Sequence, residues 1–96
     1  MSECTVIVSG NINNQQKVDA YRNVAGPIMK KYGVTKPPES HLVSNVIAGE
    51  AMPSFFMKIE FTDKEKALAA FADPEYKAVI STRDEGFGDL SIYIIQ

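Results

Sequence analysis

The chain has 96 residues, 45% of them hydrophobic and 23% charged, with a net charge of −2. That length makes one domain, which buries roughly 60–70% of its unfolded surface, so a partner subunit would add useful cover. The charge balance excludes the basic footprint of a nucleic-acid binder, and the single cysteine, Cys4, excludes an internal disulfide.

The opening MSECTVIVSG has no basic region and no apolar run long enough for a signal peptide or a membrane span. A cytoplasmic location with no membrane partner is therefore expected. Thr5 to Ser9 is a β-branched run and reads as the first strand. Asn13 followed by Gln16 forms a capping-box pattern for a helix that runs to about Tyr32. Its apolar stripe is Val18, Tyr21, Ala25, Ile28, Met29 and Tyr32. Gly26-Pro27 removes a backbone donor inside it, which predicts a kink near residues 23–27. Lys30 and Lys31 complement the helix end, and Gly33 suits a left-handed cap.

Val34 to Ser40 is extended, and Pro37-Pro38 keeps it out of a central strand. His41 to Ile47 reads as a second strand at an edge, and Ala48-Gly49-Glu50 as a turn. Ser54 to Phe61 alternates clearly: Phe55, Met57, Ile59 and Phe61 share one face, Ser54, Phe56, Lys58 and Glu60 the other. Thr62 with Glu65 reads as the cap of the next helix, whose buried stripe is Ala67, Leu68 and Phe71. Asp73 caps again, with Pro74 at the first helical position. Tyr76, Val79, Ile80 and Arg83 then share one side of a short helix. Asp84 to Asp89 reads as a turn, and Leu90 to Ile95 as the last strand.

The order β-α-β-β-α-β is that of a ferredoxin-like α+β fold with a four-stranded antiparallel sheet and both helices on one face. Val6, Val8, Phe55, Met57, Ile59, Ile92 and Ile94 belong under the helices. The other face mixes polar residues with Ile7, Phe56, Tyr93 and Ile95. A solvated face does not need four such residues, so a homodimer through the sheet face is expected.

Four side chains are candidates for chemistry. Arg83 ends an apolar stripe, so its head is expected in the cleft between helices and sheet, holding a ligand carboxylate or enolate. The structural alternative is an ion pair with Glu75, Asp84 or Glu60, or a charge that complements the helix C-terminus. His41, the single histidine, is read as a general base at the cleft mouth; an exposed edge residue is the alternative. Tyr21 and Tyr76 carry hydroxyls into apolar space, where they can orient a small aromatic or carbonyl ligand or serve as core aromatics with a bonded hydroxyl. Ser44 and Asn45 are weaker candidates, and Cys4 reads as an inert small residue. No His/Cys set has metal-ligand spacing. Asp84, Glu85 and Asp89 lack calcium-loop spacing, and Gly86-Phe87-Gly88 is too short for a phosphate loop. No cofactor is expected.

From Glu60 to Arg83 the chain reads EFTDKEKALAAFADPEYKAVISTR. It resembles the family known as domain of unknown function 1330, in which a strand ending in Glu-Phe leads to a small helix, an aromatic, Ser/Asp-Pro-Glu-Tyr and a later arginine. Phe61, Ala67, Phe71, Asp73, Pro74, Glu75, Tyr76 and Arg83 match that pattern; Tyr21 and Lys31-Tyr32-Gly33 are also similar. Residues 34–52 depart from it. The resemblance implies a dimeric α+β barrel with two sheets face to face and helices outside. It implies no reaction, because the family has no established activity. Related barrels include cofactor-free monooxygenases, haem-degrading enzymes, lactone isomerases and amino-acid sensing modules. The two functional expectations are a cofactor-free small-molecule enzyme, of isomerase or monooxygenase type, and a non-catalytic ligand-binding dimeric module.

Overall fold

The computed structural model describes residues 3–34 and 36–96. The expected course of the chain at Thr35 and the reading of Met1 and Ser2 lie outside the described residues. The elements are β1 (Cys4–Ile12), α1 (Gln15–Lys31), β2 (Glu39–Leu42), β3 (Phe55–Phe61), α2 (Lys64–Ala72), α3 (Pro74–Lys77), α4 (Ile80–Gly86) and β4 (Phe87–Ile95). The sheet has the order β2-β3-β1-β4, and each adjacent pair is antiparallel. This is the ferredoxin-like arrangement expected from the element order.

Register follows from alternation. Val6 pairs with Ile59 and Ile94, and Val8 with Met57 and Ile92, so one face of three strands is continuously apolar. It packs against Val18, Ala25, Ile28 and Met29 of α1, Ala67 and Ala70 of α2, and Tyr76 of α3. Val6 and Val18 are completely buried, each contributing about 1.5–3 kcal/mol of transfer energy against the entropy of ordering the chain. On the opposite face Ile7 lies between Lys58 and Tyr93, and Ser9 pairs with Phe56. Tyr93 is 52% and Ile95 48% exposed there.

Helix α1 runs unbroken through Gly26-Pro27. It ends in a Schellman closure: Val34 N–H donates to Met29 O and Gly33 N–H to Lys30 O, with Gly33 at φ 109°. Two caps fall one residue later than expected. Asn14 accepts from Lys17 N–H and Asp63 from Lys66 N–H. Each expected cap had a second capping residue beside it, and the backbone N–H groups of both Asn13 and Asn14 donate to Gly86 O, at 2.8 and 3.1 Å.

Other expectations are corrected. The second strand is Glu39–Leu42, not His41–Ile47. It starts directly after Pro37-Pro38, pairs with β3, and ends where Val43 N–H makes a last bond to Ser54 O. Leu68 is 53% exposed, because Ala67, Ala70 and Phe71 face the core and bring α2 close to the sheet. Asp84 and Glu85 belong to α4, and β4 begins at Phe87 rather than Leu90. The early start is accommodated by a register shift between Ser9 and Asn11, opposite Asp89 at φ 49°.

The break between α2 and α3 is held by Asp73, which is 5% exposed. One carboxylate oxygen accepts from Glu75 N–H at 2.8 Å. The other accepts from the Tyr32 hydroxyl at 2.7 Å and lies 3.6 Å from Lys31 Nζ. The Tyr32 hydrogen bond first, then the Glu75 N–H and Lys31, outweigh burial and hold the Asp73 carboxyl below its ordinary value. A carboxylate depressed in the folded state stabilises above its unfolded pKa of about 3.9, and that stabilisation is lost as pH falls through the folded value. Asp73→Asn keeps a cap acceptor but removes the charge that Tyr32 and Lys31 face, and is expected to lower Tm at neutral pH. The gap from the parent should close on acidification below about pH 4. Thermal denaturation against pH checks this; a gap that persists in acid would assign the loss to packing instead.

Candidate functional site

Two rows of α1 residues at four-residue spacing border a cavity: Tyr21, Ala25 and Met29, and beside them Arg22, Gly26 and Lys30. The sheet supplies the floor through Val8, Met57, Ile59 and Ile92, and Phe71, Phe87 and Leu90 close one side. The other wall is Val34, Lys36, Pro37, Pro38 and Ser40. The volume is about 770 Å³, within the usual range for a small-molecule site. Ser40 reaches the cavity because it pairs with Met57, whose side chain faces the helices.

Tyr21 is the one expected site residue that borders this cavity. Its ring meets Phe87 edge-on at 5.8 Å and Tyr76 at 5.9 Å. Its hydroxyl lies 2.9 Å from the Tyr76 hydroxyl. Arg83 donates from Nη1 to the Tyr76 oxygen at 3.0 Å and from Nε to Asp84 Oδ1 at 3.0 Å. The structure therefore joins Tyr21, Tyr76 and Arg83 in one polar chain running from the cavity to the outer edge of the helical layer.

Burial sets the direction of that chain. Tyr76 is 1% exposed, and its oxygen already accepts from Arg83. The acceptor within reach of its own hydrogen is the Tyr21 oxygen. The reverse arrangement would strand a buried donor, at a cost of about 1–3 kcal/mol. Tyr76 accordingly donates to Tyr21, and the Tyr21 hydrogen is left for a group in the cavity. Burial, then the neighbouring Tyr76, push the Tyr21 phenol well above its ordinary pKa, with Arg83 and Arg22 offsetting part of the rise. Tyr21 is thus a hydrogen-bond donor at neutral pH. Burial opposes the Arg83 charge, but the bonds to Tyr76 and Asp84 outweigh it and raise the guanidinium pKa.

Arg83 does not line the cavity; it is linked to it through the Tyr76 and Tyr21 hydroxyls, and its ion pair with Asp84 is present as well. His41 is not at the cleft mouth. It pairs with Phe56 across the strands, which directs it to the opposite face of the sheet, with its side chain 62% exposed and 4.0 Å from Glu39. One residue of register separates it from Ser40, and that residue inverts its side. Ser44 and Asn45 bond to each other on an exposed loop. Cys4 is buried, and burial raises its thiol pKa.

Sequence reasoning missed Arg22, Gly26, Lys30, Lys36 and Phe87 as lining residues. The first three were detectable as a row adjoining the apolar stripe of α1. Phe87 was hidden by its flanking glycines, which pack closely: a Cβ at Gly86 would sit 2.9 Å from the Val18 nitrogen. Among the described residues no group of three or more His, Cys, Asp and Glu side chains could hold a metal, and no helix is long and apolar enough to cross a membrane.

The chain belongs to the DUF1330 family, a domain of unknown function. The family model matches residues 5–96. No curated protein matches the chain significantly. Several solved structures share the fold at low identity. A protein of unknown function from Rhodopseudomonas palustris aligns at TM-score 0.78 and 11% identity, over 97% of this chain and 80% of that one. A variant of SnoaB, a cofactor-independent oxygenase from Streptomyces nogalater, aligns at TM-score 0.73 and 9% identity, over 100% and 93%. A protein from Jannaschia described as dimeric and ferredoxin-like aligns at TM-score 0.71 and 9% identity, over 99% of each chain.

In this DUF1330 chain the hydroxyl pair is testable by stability alone. Tyr21→Phe strands the buried Tyr76 donor and is expected to cost about 1–3 kcal/mol. Adding Tyr76→Phe removes that stranded donor, so the double substitution should cost less than the sum of the two singles. Urea denaturation of the four-protein cycle reads the coupling, and strict additivity would contradict a hydrogen bond between the two hydroxyls.

Proposed function

We propose that the protein is a small-molecule enzyme that works without a bound cofactor on a carbonyl or enol compound with an apolar body. The observation that carries this reading is that Tyr21 lines the cleft and its hydroxyl lies 2.9 Å from that of Tyr76, whose oxygen accepts from Arg83; with Tyr76 donating to Tyr21, the Tyr21 hydrogen is left for a ligand oxygen. A donor fixed in an apolar cavity stabilises the charge that develops on that oxygen as a substrate ionises to its enolate. Tyr21 would touch the substrate. Tyr76 and Arg83 would be positioning residues, polarising Tyr21 through the chain of hydrogen bonds. His41, on the far face of the sheet, has no part at this cleft within its own protomer.

No carboxylate, imidazole or thiol lines the cleft among the described residues. The fitting substrates are therefore ones acidic enough to ionise in water. Isomerisation then needs a proton to leave one carbon and return to another. Oxygenation needs dioxygen as oxidant: a ring CH₂ becomes a carbonyl, and the second oxygen atom leaves as water. The likeness to a cofactor-independent oxygenase lends this chemistry support at the level of fold.

The same lack of a base favours a second reading, a ligand-binding module without turnover. The two separate in one experiment. Acidic enols, β-keto acids and hydroxyquinones are screened by thermal shift, and each stabilising compound is followed by NMR and oxygen uptake. Turnover is expected, with Tyr21→Phe lowering kcat by about 10²–10³-fold below its Tm. Stabilisation without turnover supports the binding module, and no stabilisation by any compound defeats both readings.

We further infer that two chains pair through the open sheet face. Tyr93 and Ile95, about half exposed, lie on it beside a half-buried Phe56 and an Ile7 already buried in the single chain, and the Lys58–Glu39 pair at 3.5 Å gives it a polar edge. Solved structures of this fold described as dimeric are consistent with it. Light scattering is expected to return twice the chain mass of 10.6 kDa. Tyr93→Lys should return the single-chain mass with unchanged circular dichroism. A wild-type monomer at micromolar concentration would refute the interface.

A further inference from the structure

We propose that the cleft selects an organic anion: a ligand with a flat apolar body and a carboxylate or similar anionic group held at the α1 edge. This rests on the reading of the cavity as a small-molecule site and adds the class of molecule it takes. The protein carries 12 acidic and 10 basic residues, yet the charged side chains that line the cavity are all cationic: Arg22, Lys30 and Lys36. Lys36 is committed to Glu60 at 3.2 Å. Arg22 and Lys30 take part in none of the ion pairs found among the described residues. Two uncompensated cations therefore flank a cavity whose floor is apolar.

Their spacing has a consequence. Arg22 and Lys30 stand eight residues apart on α1, about 12 Å along the helix axis. Gly26 lies midway, in the same row. A Cβ placed at Gly26 would meet nothing within 4 Å, so no neighbour demands glycine there. In a helix interior glycine costs about 1 kcal/mol relative to alanine. The bare turn leaves open space between two positive charges, where a planar group could enter. Inside, Tyr21 offers its hydrogen to a neutral carbonyl oxygen. The ligand thus has two recognised ends, a carbonyl or enol toward Tyr21 and an anion toward Arg22 and Lys30.

The test uses two fluorescent probes of similar size: 8-anilinonaphthalene-1-sulfonate, an anion, and N-phenyl-1-naphthylamine, its neutral counterpart. Binding is titrated by fluorescence and located by backbone amide NMR shifts. The anion is expected to bind about tenfold tighter at low salt, with the gap narrowing as ionic strength rises. Combined Arg22→Gln and Lys30→Gln substitutions should erase the gap while leaving the neutral probe's affinity unchanged. Gly26→Leu should expel both probes while the fold is retained or strengthened. Equal affinities for the two probes in the parent, or a gap that survives the charge substitutions, would overturn the anion inference. If Gly26→Leu still expels both probes in that case, the cleft stands as a binding site without charge selection. Shifts absent from Tyr21 and Met29 with either probe would overturn both the site and its selectivity.

Discussion

The helical layer depends on one buried carboxylate. Asp73 ends α2, starts α3 and binds the C-terminal turn of α1 through Tyr32 and Lys31. Without that tie, α3 would be a four-residue turn with little to fix its direction. With it, Tyr76 is carried down into the core, where its ring meets Phe71 and Tyr21 edge-on and its hydroxyl meets Tyr21 and Arg83. The site chemistry is thus downstream of a helix cap. Burying a charge is costly unless it is fully bonded, and Asp73 meets that requirement with a backbone amide, a phenol and an ammonium group.

The cleft divides its labour between its walls. Apart from Ser40 of β2, the sheet contributes only apolar side chains, which give area but no direction. Polarity comes from α1 and from the segment before β2, so orientation of a ligand would be set from the helix side. The Tyr21–Tyr76–Arg83 chain extends that control outward. Its charged end remains 20% exposed beside Asp84, where water and a carboxylate stabilise it, while its neutral end faces the cavity. A charge kept outside and relayed through hydroxyls avoids the penalty of burying a bare guanidinium in an apolar space.

The strands, both main helices and the Asp73-Pro74 break were legible because each rests on local chemistry: alternation, helical periodicity and capping. Errors arose where local rules permitted two answers. Asn13 and Asn14 both suit a cap, and it is the Asn14 side chain that accepts from Lys17 N–H. The run from Glu39 to Ile47 could begin a strand at several points, and pairing with β3 selected one. That choice sent Ser40 into the cleft and His41 away from it. Gly86-Phe87-Gly88 has the composition of a turn, yet Gly86 packs closely on α1, Gly88 on the Asn13 side chain, and its phenylalanine is core.

The sequence by itself determined the element order, the apolar face of the sheet, the capped break at Asp73 and three of the four candidate side chains that the fold joins. Those properties depend on neighbours a few residues apart, or on the patterning of whole strands. Only the tertiary structure decided that Arg83 bonds to Tyr76 and does not line the cleft, that His41 stands outside it, and that Arg22, Gly26 and Lys30 form its edge. The physical reason is common to all three. The direction of a long side chain, or the side of a strand on which a residue falls, is set by register and by partners up to 55 residues distant, as between Tyr21 and Tyr76. No local pattern encodes it.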